Sequence, residues 1–223
     1  MSKSYKYSAK IAAGVTFLRF IEKFQKHYWL SDGMINLYRG ATGTSPITAA
    51  LKLISRENGT YFRKLFKPLM KIGKNLSLNY FWIIYFDNAS EEMKRSLRNY
   101  AKQYLEERLS RLKRKNSKTL ERRFNKVKKQ NGFSQLEMDF IKGIYYINNF
   151  EVLNAYYNYL KMEKYSVTDI LCIFSGLSDN SVNSLIRGRL FKDGVIKEIL
   201  INYKDTSEDF YLDADISKYI NKK

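Results

Sequence analysis

The glycine-rich stretch GATGTSP, residues 40–46, is the part of the sequence that most resembles a nucleotide-binding loop. A phosphate-binding loop of the type GxxxxGK[ST] needs glycines that let the backbone approach the phosphates and a lysine that reaches the terminal phosphates. Gly40 and Gly43 have a different spacing, and no lysine follows Gly43. Ser45 can instead cap a helix whose first residue is Pro46. We therefore predict a glycine-rich turn and a capped helix here, with no bound nucleotide and no ATP hydrolysis.

Three carboxylates, Asp87, Glu91 and Glu92, could hold a metal ion beside a strongly basic segment, as a metal-dependent nuclease requires. The apolar run at residues 80–86 ends at Asp87, a pattern typical of a strand that ends at a metal-binding acid. Glu91 and Glu92 also suit the first turn of a helix, where acidic side chains favour the positive end of the helix dipole. We predict no enzyme and no parallel sheet containing residues 80–86, and keep a nuclease as the third hypothesis.

The single histidine and the single cysteine exclude two other kinds of site. His27 has no identifiable acidic partner, and one histidine with one cysteine cannot build a His/Cys zinc cluster. Cys172 excludes an internal disulfide framework, and its place in a short helical pattern predicts that it faces the core. No cofactor and no metal site are therefore predicted.

The distribution of charge is the strongest functional signal in the sequence. The 223 residues contain 40 Lys and Arg against 22 Asp and Glu, a net charge of +18. Residues 94–129 contain fifteen Lys and Arg against three acids, a net charge of +12. Solvated helices usually mix both signs, so this block favours an anionic partner, of which nucleic-acid phosphate is the commonest. We predict phosphate contacts, to DNA rather than RNA, from Arg108, Arg111, Lys113, Arg114, Lys115, Lys118, Arg122, Arg123 and Lys126.

Helices with apolar stripes are predicted to position this charge. Residues 90–115 form the clearest long helix, and residues 117–129 repeat the pattern with Leu120, Phe124 and Val127 up to a stop at Gly132. Residues 11–29 and 60–72 are also predicted to be helices. Aromatic residues beside their lysines could stack on unpaired bases. Alternatively, the helix at residues 60–72 could lie on an anionic membrane. The predicted fold class is mainly α, with a basic helical domain at residues 1–132.

The remaining residues, 133–223, are predicted to be a helical segment followed by a winged-helix-like module. Ser134 and Glu137 form a capping-box pattern, and helices at 151–162, 167–175 and 179–190 follow. A β-hairpin is expected after Gly194 and a short helix at the end, which is the order of a winged helix, a helix-turn-helix variant. The predicted readers of base edges are Asn180, Asn183 and Arg187.

Charge argues that this module is not the main contact with nucleic acid. Residues 165–223 contain eight Lys and Arg against nine Asp and Glu, a net charge of −1. A reading helix needs neighbouring cations that grip phosphate. We therefore expect the module to orient the protein or to dock a partner, with base reading as the alternative.

The segments FSQLEMDFIKGIYYINNF, SVTDILCIFSGLSDNSVNSLIRGRLFKDGVIKE and FYLDADISKYI resemble the non-catalytic N-terminal region of some AAA-family ATPases. The resemblance covers roughly the last ninety residues and rests on the hydrophobic pattern. It implies a helical segment and a winged-helix-like module, with an ATPase as a protein partner. No ATPase motif is present in this chain. The alternative function that the resemblance implies is a protein-interaction or adaptor module.

The sequence also bears on the compartment. The N-terminal apolar stretch is interrupted by charges, and the longest apolar run, residues 80–86, is too short to cross a bilayer. We expect a cytoplasmic protein without integral membrane association.

Overall fold

The computed structural model describes residues 3–24, 31–57, 59–60, 91–116, 118–200 and 208–221. In these ranges the chain is mainly helical with one small antiparallel sheet, which confirms the coarse prediction of fold class. The predicted helix at residues 60–72 lies outside the described residues except for residue 60. The apolar run at 80–86, Asp87 and His27 lie outside them entirely.

The first helices are α1 (Lys3–Lys23), α2 (Asp32–Thr42) and α3 (Pro46–Glu57). Helix α1 begins earlier than the predicted residue 11. Helix α3 begins at Pro46 as predicted, and its Thr48 N–H donates to the Ser45 hydroxyl oxygen at 3.2 Å. Ser45 therefore acts as the N-cap that the sequence indicated.

The prediction that Gly40 belongs to a turn was wrong. Gly40 lies inside α2, where an added Cβ would come within 2.6 Å of the Val152 side chain, so its role is close packing between helices. Gly43 makes the turn in the left-handed conformation, with φ of 82°. A helix, not a strand, thus precedes the glycine-containing turn.

Helix α4 (Glu91–Lys115) packs antiparallel to α1. The Lys102 ammonium lies 3.4 Å from the Glu22 carboxylate near one end of the pair. At the other end, the Asn116 side-chain amide donates to the Ser8 hydroxyl at 3.4 Å. Near the middle, Gly14 brings α1 close to α4, since a Cβ there would lie 2.7 Å from a methyl group of Leu109.

Three further helices follow: α5 (Thr119–Asn131), α6 (Gln135–Asn149) and α7 (Glu151–Met162). Helix α5 buries Leu120, Phe124 and Val127 on one face, as the spacing predicted. It ends at Gly132, whose φ of 62° is the left-handed stop expected there. Helix α6 opens with the predicted capping box of Ser134 and Glu137.

The C-terminal part contains α8 (Val167–Ser175), α9 (Asp179–Ile186), α10 (Arg189–Lys192) and α11 (Ala214–Asn221). The prediction of one continuous helix over residues 179–190 was wrong. The chain leaves the helical conformation at Gly188, whose φ and ψ are −87° and −171°, and restarts as α10. Glycine is the residue that pays most backbone entropy in a helix, so a break there is physically reasonable.

Strands β1 (Ile196–Leu200) and β2 (Glu208–Leu212) form the antiparallel hairpin that was predicted after Gly194. Ile196 pairs with Leu212. The side-chain amide of Asn148 donates to the Phe210 carbonyl oxygen and accepts from the Leu212 N–H. This asparagine of α6 satisfies backbone groups of β2 and fixes the hairpin against the helices.

Buried side chains from both sides of residue 132 belong to one contiguous hydrophobic cluster, which includes Phe20, Phe124, Phe174 and Ile220. The division into domains at residues 1–132 and 133–223 stays a prediction. Within the described ranges, no helix is long and apolar enough to cross a membrane.

Candidate nucleic-acid interface

Five exposed cations surround the turn between α4 and α5, and we call them the basic corner. In the parts of the chain that the structure describes, none of their side chains has an ion pair or a hydrogen bond. Their positive charge is therefore available to an external anion. The basic corner consists of Lys113, Arg114 and Lys115 in the last turn of α4, Lys118 at the N-cap of α5, and Arg122 in α5.

The turn itself is held against α1. The backbone N–H of Asn116 donates to the Lys113 carbonyl oxygen at 3.4 Å as α4 ends, and its side-chain amide donates to buried Ser8. Lys118 then takes a left-handed conformation, with φ of 54°, which is uncommon for a residue other than glycine. These contacts place the cations of both helices around one bend.

Some of the cations around the bend lie where they are unfavourable for helix stability. Cations in the last turn of α4 favour the negative end of its dipole, but Lys118 and Arg122 lie at the positive end of α5. Lys118 makes no side-chain cap hydrogen bond. The one acid in that turn, Glu121, is bound by Lys142 at 3.1 Å. An anion bound at the bend would reduce the repulsion among the cations of the basic corner, none of which pairs with a carboxylate among the described residues.

Two predicted cations of α4 lie beside the basic corner in different surroundings. Arg111 is exposed and lies 3.4 Å from the Glu107 carboxylate, one helical turn away. Surface pairs of this kind contribute little to stability, so Arg111 can exchange Glu107 for another anion. Arg108 is half-buried, and its Nε is shielded from solvent with no described hydrogen-bond partner. Its stem is thus part of the packing, and less of its charge faces solvent.

Two predicted cations of α5 have structural partners in α11. The Arg123 guanidinium donates to the Ile220 carbonyl oxygen at 2.8 Å. The Lys126 ammonium lies 5.3 Å from the centre of the Tyr219 ring, within the range of a cation–π contact. Both residues attach the last helix to α5, so they are less free than the basic corner to bind phosphate.

The predicted base readers lie on another part of the molecule. Asn180, Asn183 and Arg187 are exposed in α9 and at its C-cap. Asn183 already accepts a hydrogen bond from the Thr168 hydroxyl at 3.0 Å. The start of α9 is tied to the C-terminal end of α1, because Asp179 pairs with Lys23.

Helix α1 shows how far apart the two sets of residues are. The basic corner lies at Ser8, near one end of α1, whereas α9 begins at Lys23, at the other end. At 1.5 Å per residue, the two positions are separated by about 22 Å along the helix. The structure therefore brings together the cations of α4 and α5 but keeps the base-reading candidates away from them.

The cluster at that far end has no reactive group. Lys23 pairs with Asp169 at 2.9 Å and with Asp179, and the Cys172 thiol donates to Asp179 at 3.1 Å. Burial acts to lower the pKa of Lys23, but the hydrogen bonds to the two carboxylates outweigh it and raise that pKa. Burial raises the pKa of Cys172 to about 12, so the thiol is protonated at neutral pH. Cys172 is a core residue, as predicted.

Two cations of α1 were missed by the sequence analysis. Lys6 is exposed and Lys10 is half-buried, and within the described residues neither side chain has an ion pair or a hydrogen bond. Their spacing of four residues places them on one face of α1. That spacing was the only local signal, and it does not indicate which helix the face approaches.

The carboxylates of the nuclease hypothesis are described only in part. Glu91 and Glu92 lie exposed in the first turn of α4, and Glu91 pairs with Lys94 at 2.9 Å. Among the described residues, no group of three His, Cys, Asp or Glu side chains could hold a metal ion. Asp87 lies outside the described residues, so the nuclease hypothesis stays untested.

No protein-family model, no curated protein and no solved structure matches this chain. What the basic corner binds must therefore be inferred from its own charges and contacts.

Proposed function

We propose that this chain is a non-enzymatic nucleic-acid-binding protein that contacts the phosphate backbone through the basic corner. The observation that carries this proposal is a group of five exposed cations on both sides of one turn, without a carboxylate partner among the described residues. Lys and Arg that neutralise phosphates release condensed counterions, which favours binding without any base contact. DNA is the preferred partner in this proposal.

The alternative of a merely solvated basic face fits these charges less well. A solvated face stabilises the fold by mixing charges, as Arg56 does with Glu107 at 3.1 Å on the neighbouring helices. The basic corner lacks such compensation, and two of its members, Lys118 and Arg122, lie at the unfavourable end of a helix dipole. Binding of an anion would explain why these mutually repelling cations lie together, whereas a contribution to the stability of the fold would not.

The C-terminal module is proposed to be winged-helix-like and to orient the protein or dock a partner. The order α8, α9, α10, β1 and β2 supports that fold. Its near-neutral charge and the distance of α9 from the basic corner support a role other than gripping phosphate. The adaptor role implied by the resemblance to ATPase N-terminal regions is assigned to this module. The cytoplasmic location of the protein stays a prediction.

A salt series of binding to duplex DNA tests the proposal. The triple variant Lys113→Ala, Arg114→Ala and Arg122→Ala removes cations on both sides of the turn. Each phosphate contact contributes about −0.9 to the slope of log affinity against log salt. The slope should therefore become shallower by roughly 2.7 units if all three residues contact phosphate, and weakening should be similar for unrelated sequences.

The matched control removes the same charge elsewhere. Lys52, Lys164 and Lys192 are exposed and have no described side-chain partner. Lys52 and Lys192 are changed to Ala, and Lys164 to Asn because its φ is 59° and asparagine tolerates that conformation. The control should keep nearly the parent slope. Equal slopes for parent and triple variant would show that the basic corner is only solvated, and the adaptor role would then be favoured.

A further inference from the structure

The outer face of α5 carries a line of polar residues that begins at the basic corner. The buried apolar side chains of α5 define the inner side of this helix. Arg122, Asn125 and Lys129 are exposed, and their spacing of three and four residues places them on one face. At about 3.6 residues per turn, Arg122 and Lys129 lie close to one line along the helix, opposite the buried residues. We call these three residues the outer stripe.

Contacts with two neighbouring helices fix the orientation of α5. On one side, the Lys128 ammonium donates to the Gln135 side chain of α6 at 2.8 Å, and Glu121 is bound by a lysine of α6. On the other side, Arg123 and Lys126 contact α11. The outer stripe lies between these two sides and therefore faces solvent along the length of the helix.

The outer stripe lengthens the surface that is available to phosphate. Within the described residues, neither Asn125 nor Lys129 has an ion pair or a side-chain hydrogen bond. The seven residues from Arg122 to Lys129 span about 10 Å along the helix axis. Nucleotides follow each other at about 3.4 Å along one strand of a duplex, so the outer stripe extends the basic corner by about three nucleotides.

We infer that one phosphate backbone of a nucleic acid lies along the outer stripe of α5, from the basic corner to Lys129. This inference rests on the proposed function. Lys129 neutralises a phosphate, and the Asn125 amide donates an uncharged hydrogen bond to the same backbone. Arg122 and Lys129 form a single line of charge, which suits a single backbone. The two backbones of a B-form duplex are separated by grooves about 6 and 12 Å wide, and one line of cations cannot follow both.

Two adjacent lysines allow a matched test of this path. Lys128 and Lys129 carry the same charge at the same end of α5, but they lie about 100° apart around the helix axis. Lys129 is exposed on the outer stripe, whereas Lys128 is half-buried and bonded to α6. A general loss of positive charge would affect both substitutions equally, and contact along the outer stripe would affect only Lys129.

The experiment measures binding of the parent, Lys129→Ala and Lys128→Ala to a DNA duplex and to one of its strands alone, over a salt series. For Lys129→Ala, the slope of log affinity against log salt should become shallower by about 0.9 on the duplex and about 0.7 on the single strand. Lys128→Ala should keep nearly the parent slope on both ligands. Circular dichroism confirms that each variant is folded.

A variant with added charge tests the same path without removing any contact of the fold. Asn125→Lys places a further cation between Arg122 and Lys129 and should make the duplex slope steeper by about 0.9. Its control is Asn36→Lys, because Asn36 is exposed on α2 and has no described side-chain partner. The control should leave the slope nearly unchanged.

Three results would overturn the inference. These are equal slopes for Lys129→Ala and Lys128→Ala, an effect of Lys129→Ala on the duplex but not on the single strand, and equal slopes for Asn125→Lys and its control. The triple variant of the basic corner distinguishes this failure from failure of the proposed function. If that variant flattens the slope while Lys129→Ala does not, the protein binds nucleic acid at the bend, and the backbone does not follow α5.

Discussion

The Arg123 guanidinium donates a hydrogen bond to the backbone carbonyl oxygen of Ile220, 2.8 Å away, and so joins α5 to the last turn of α11. The carbonyl groups at the end of a helix lack partners within the helix, and a cation there also favours the negative end of the dipole. Arg122, its neighbour in the chain, is exposed and has no described side-chain partner. Two adjacent arginines with the same charge thus have different surroundings.

Substitution of these two arginines should separate stability from binding. Arg123→Ala should lower the free energy of unfolding by about 1.5 kcal/mol, because a charge-assisted hydrogen bond is lost. Arg122→Ala should change it by less than about 0.5 kcal/mol and should instead reduce the salt dependence of DNA binding. Urea unfolding and a salt series measure the two effects. Equal stability of the two variants would contradict the structural role of Arg123.

A second prediction concerns the acid stability that Glu137 provides. Its two carboxylate oxygens accept from Nε and Nη2 of Arg189, and one of them also accepts from the Ser134 N–H. The hydrogen bond from Arg189 is the main cause that lowers the pKa of Glu137 to about 2, against the opposing effect of burial. In the unfolded chain a glutamate has a pKa near 4.3.

The lowered pKa determines the pH range of the effect. The stabilisation is fully present above the unfolded pKa of about 4.3 and is lost as the pH falls towards about 2. The urea concentration at the midpoint of unfolding should be measured at pH 5, 3.5 and 2. As the pH is lowered, it should fall more steeply for the parent than for Glu137→Gln. Glu163→Gln is the control, because Glu163 is exposed and has no described side-chain partner. Parallel pH profiles for the parent and Glu137→Gln would refute the prediction.

Local patterns in the sequence were sufficient for most of the described helices. Pro46 after Ser45, the capping box at Ser134 and the three buried residues of α5 each act within a few residues of the chain. The split at Gly188 was missed because a glycine inside an apolar pattern can be either tolerated or a break. Gly40 was misplaced because its neighbour, Val152, is distant in sequence.

The candidate site was predictable only as a region of charge. The excess of Lys and Arg in residues 94–129 is visible in the sequence, but the partners of individual cations are not. Arg123 bonds a carbonyl 97 residues away, while Lys113 has no described side-chain partner. The antiparallel packing of α1 against α4 is likewise not indicated by any local spacing.

A third prediction tests how α1 is attached to α8. The Arg19 guanidinium donates to the Phe174 carbonyl oxygen at 2.7 Å, at the C-terminal end of α8. Arg19→Ala should lower the free energy of unfolding by about 2 kcal/mol, because a partly buried carbonyl loses its charged donor. Arg19→Lys should restore part of that loss, since a lysine can reach the same oxygen but donates from a single nitrogen. A smaller loss for Arg19→Ala than for Arg19→Lys would contradict this account.

Two helical glycines offer a matched comparison of packing. Replacement of either Gly14 or Gly143 by alanine should favour the helical conformation by up to about 1 kcal/mol. The new methyl group at Gly143 would meet the backbone of α8, with the Ser175 nitrogen at 3.0 Å and its Cα at 3.1 Å. At Gly14 it would meet the side-chain ends of Leu109 and Leu105, at 2.7 and 3.1 Å. Leucine methyl groups can rotate away, whereas the backbone of a packed helix moves only with the whole helix.

The physical consequence is that the shorter contact should be the less harmful one. Gly143→Ala should lower the free energy of unfolding by about 1–3 kcal/mol, as overpacking against an immobile neighbour does, despite the gain in helix propensity. Gly14→Ala should change it by less than about 1 kcal/mol, because rotation of Leu109 and the gain in propensity nearly compensate each other. Urea unfolding of the two variants measures both values. If Gly14→Ala is the more destabilised variant, Leu109 and Leu105 cannot move aside as expected. The packing of α1 against α4 would then be more rigid than that of α6 against α8.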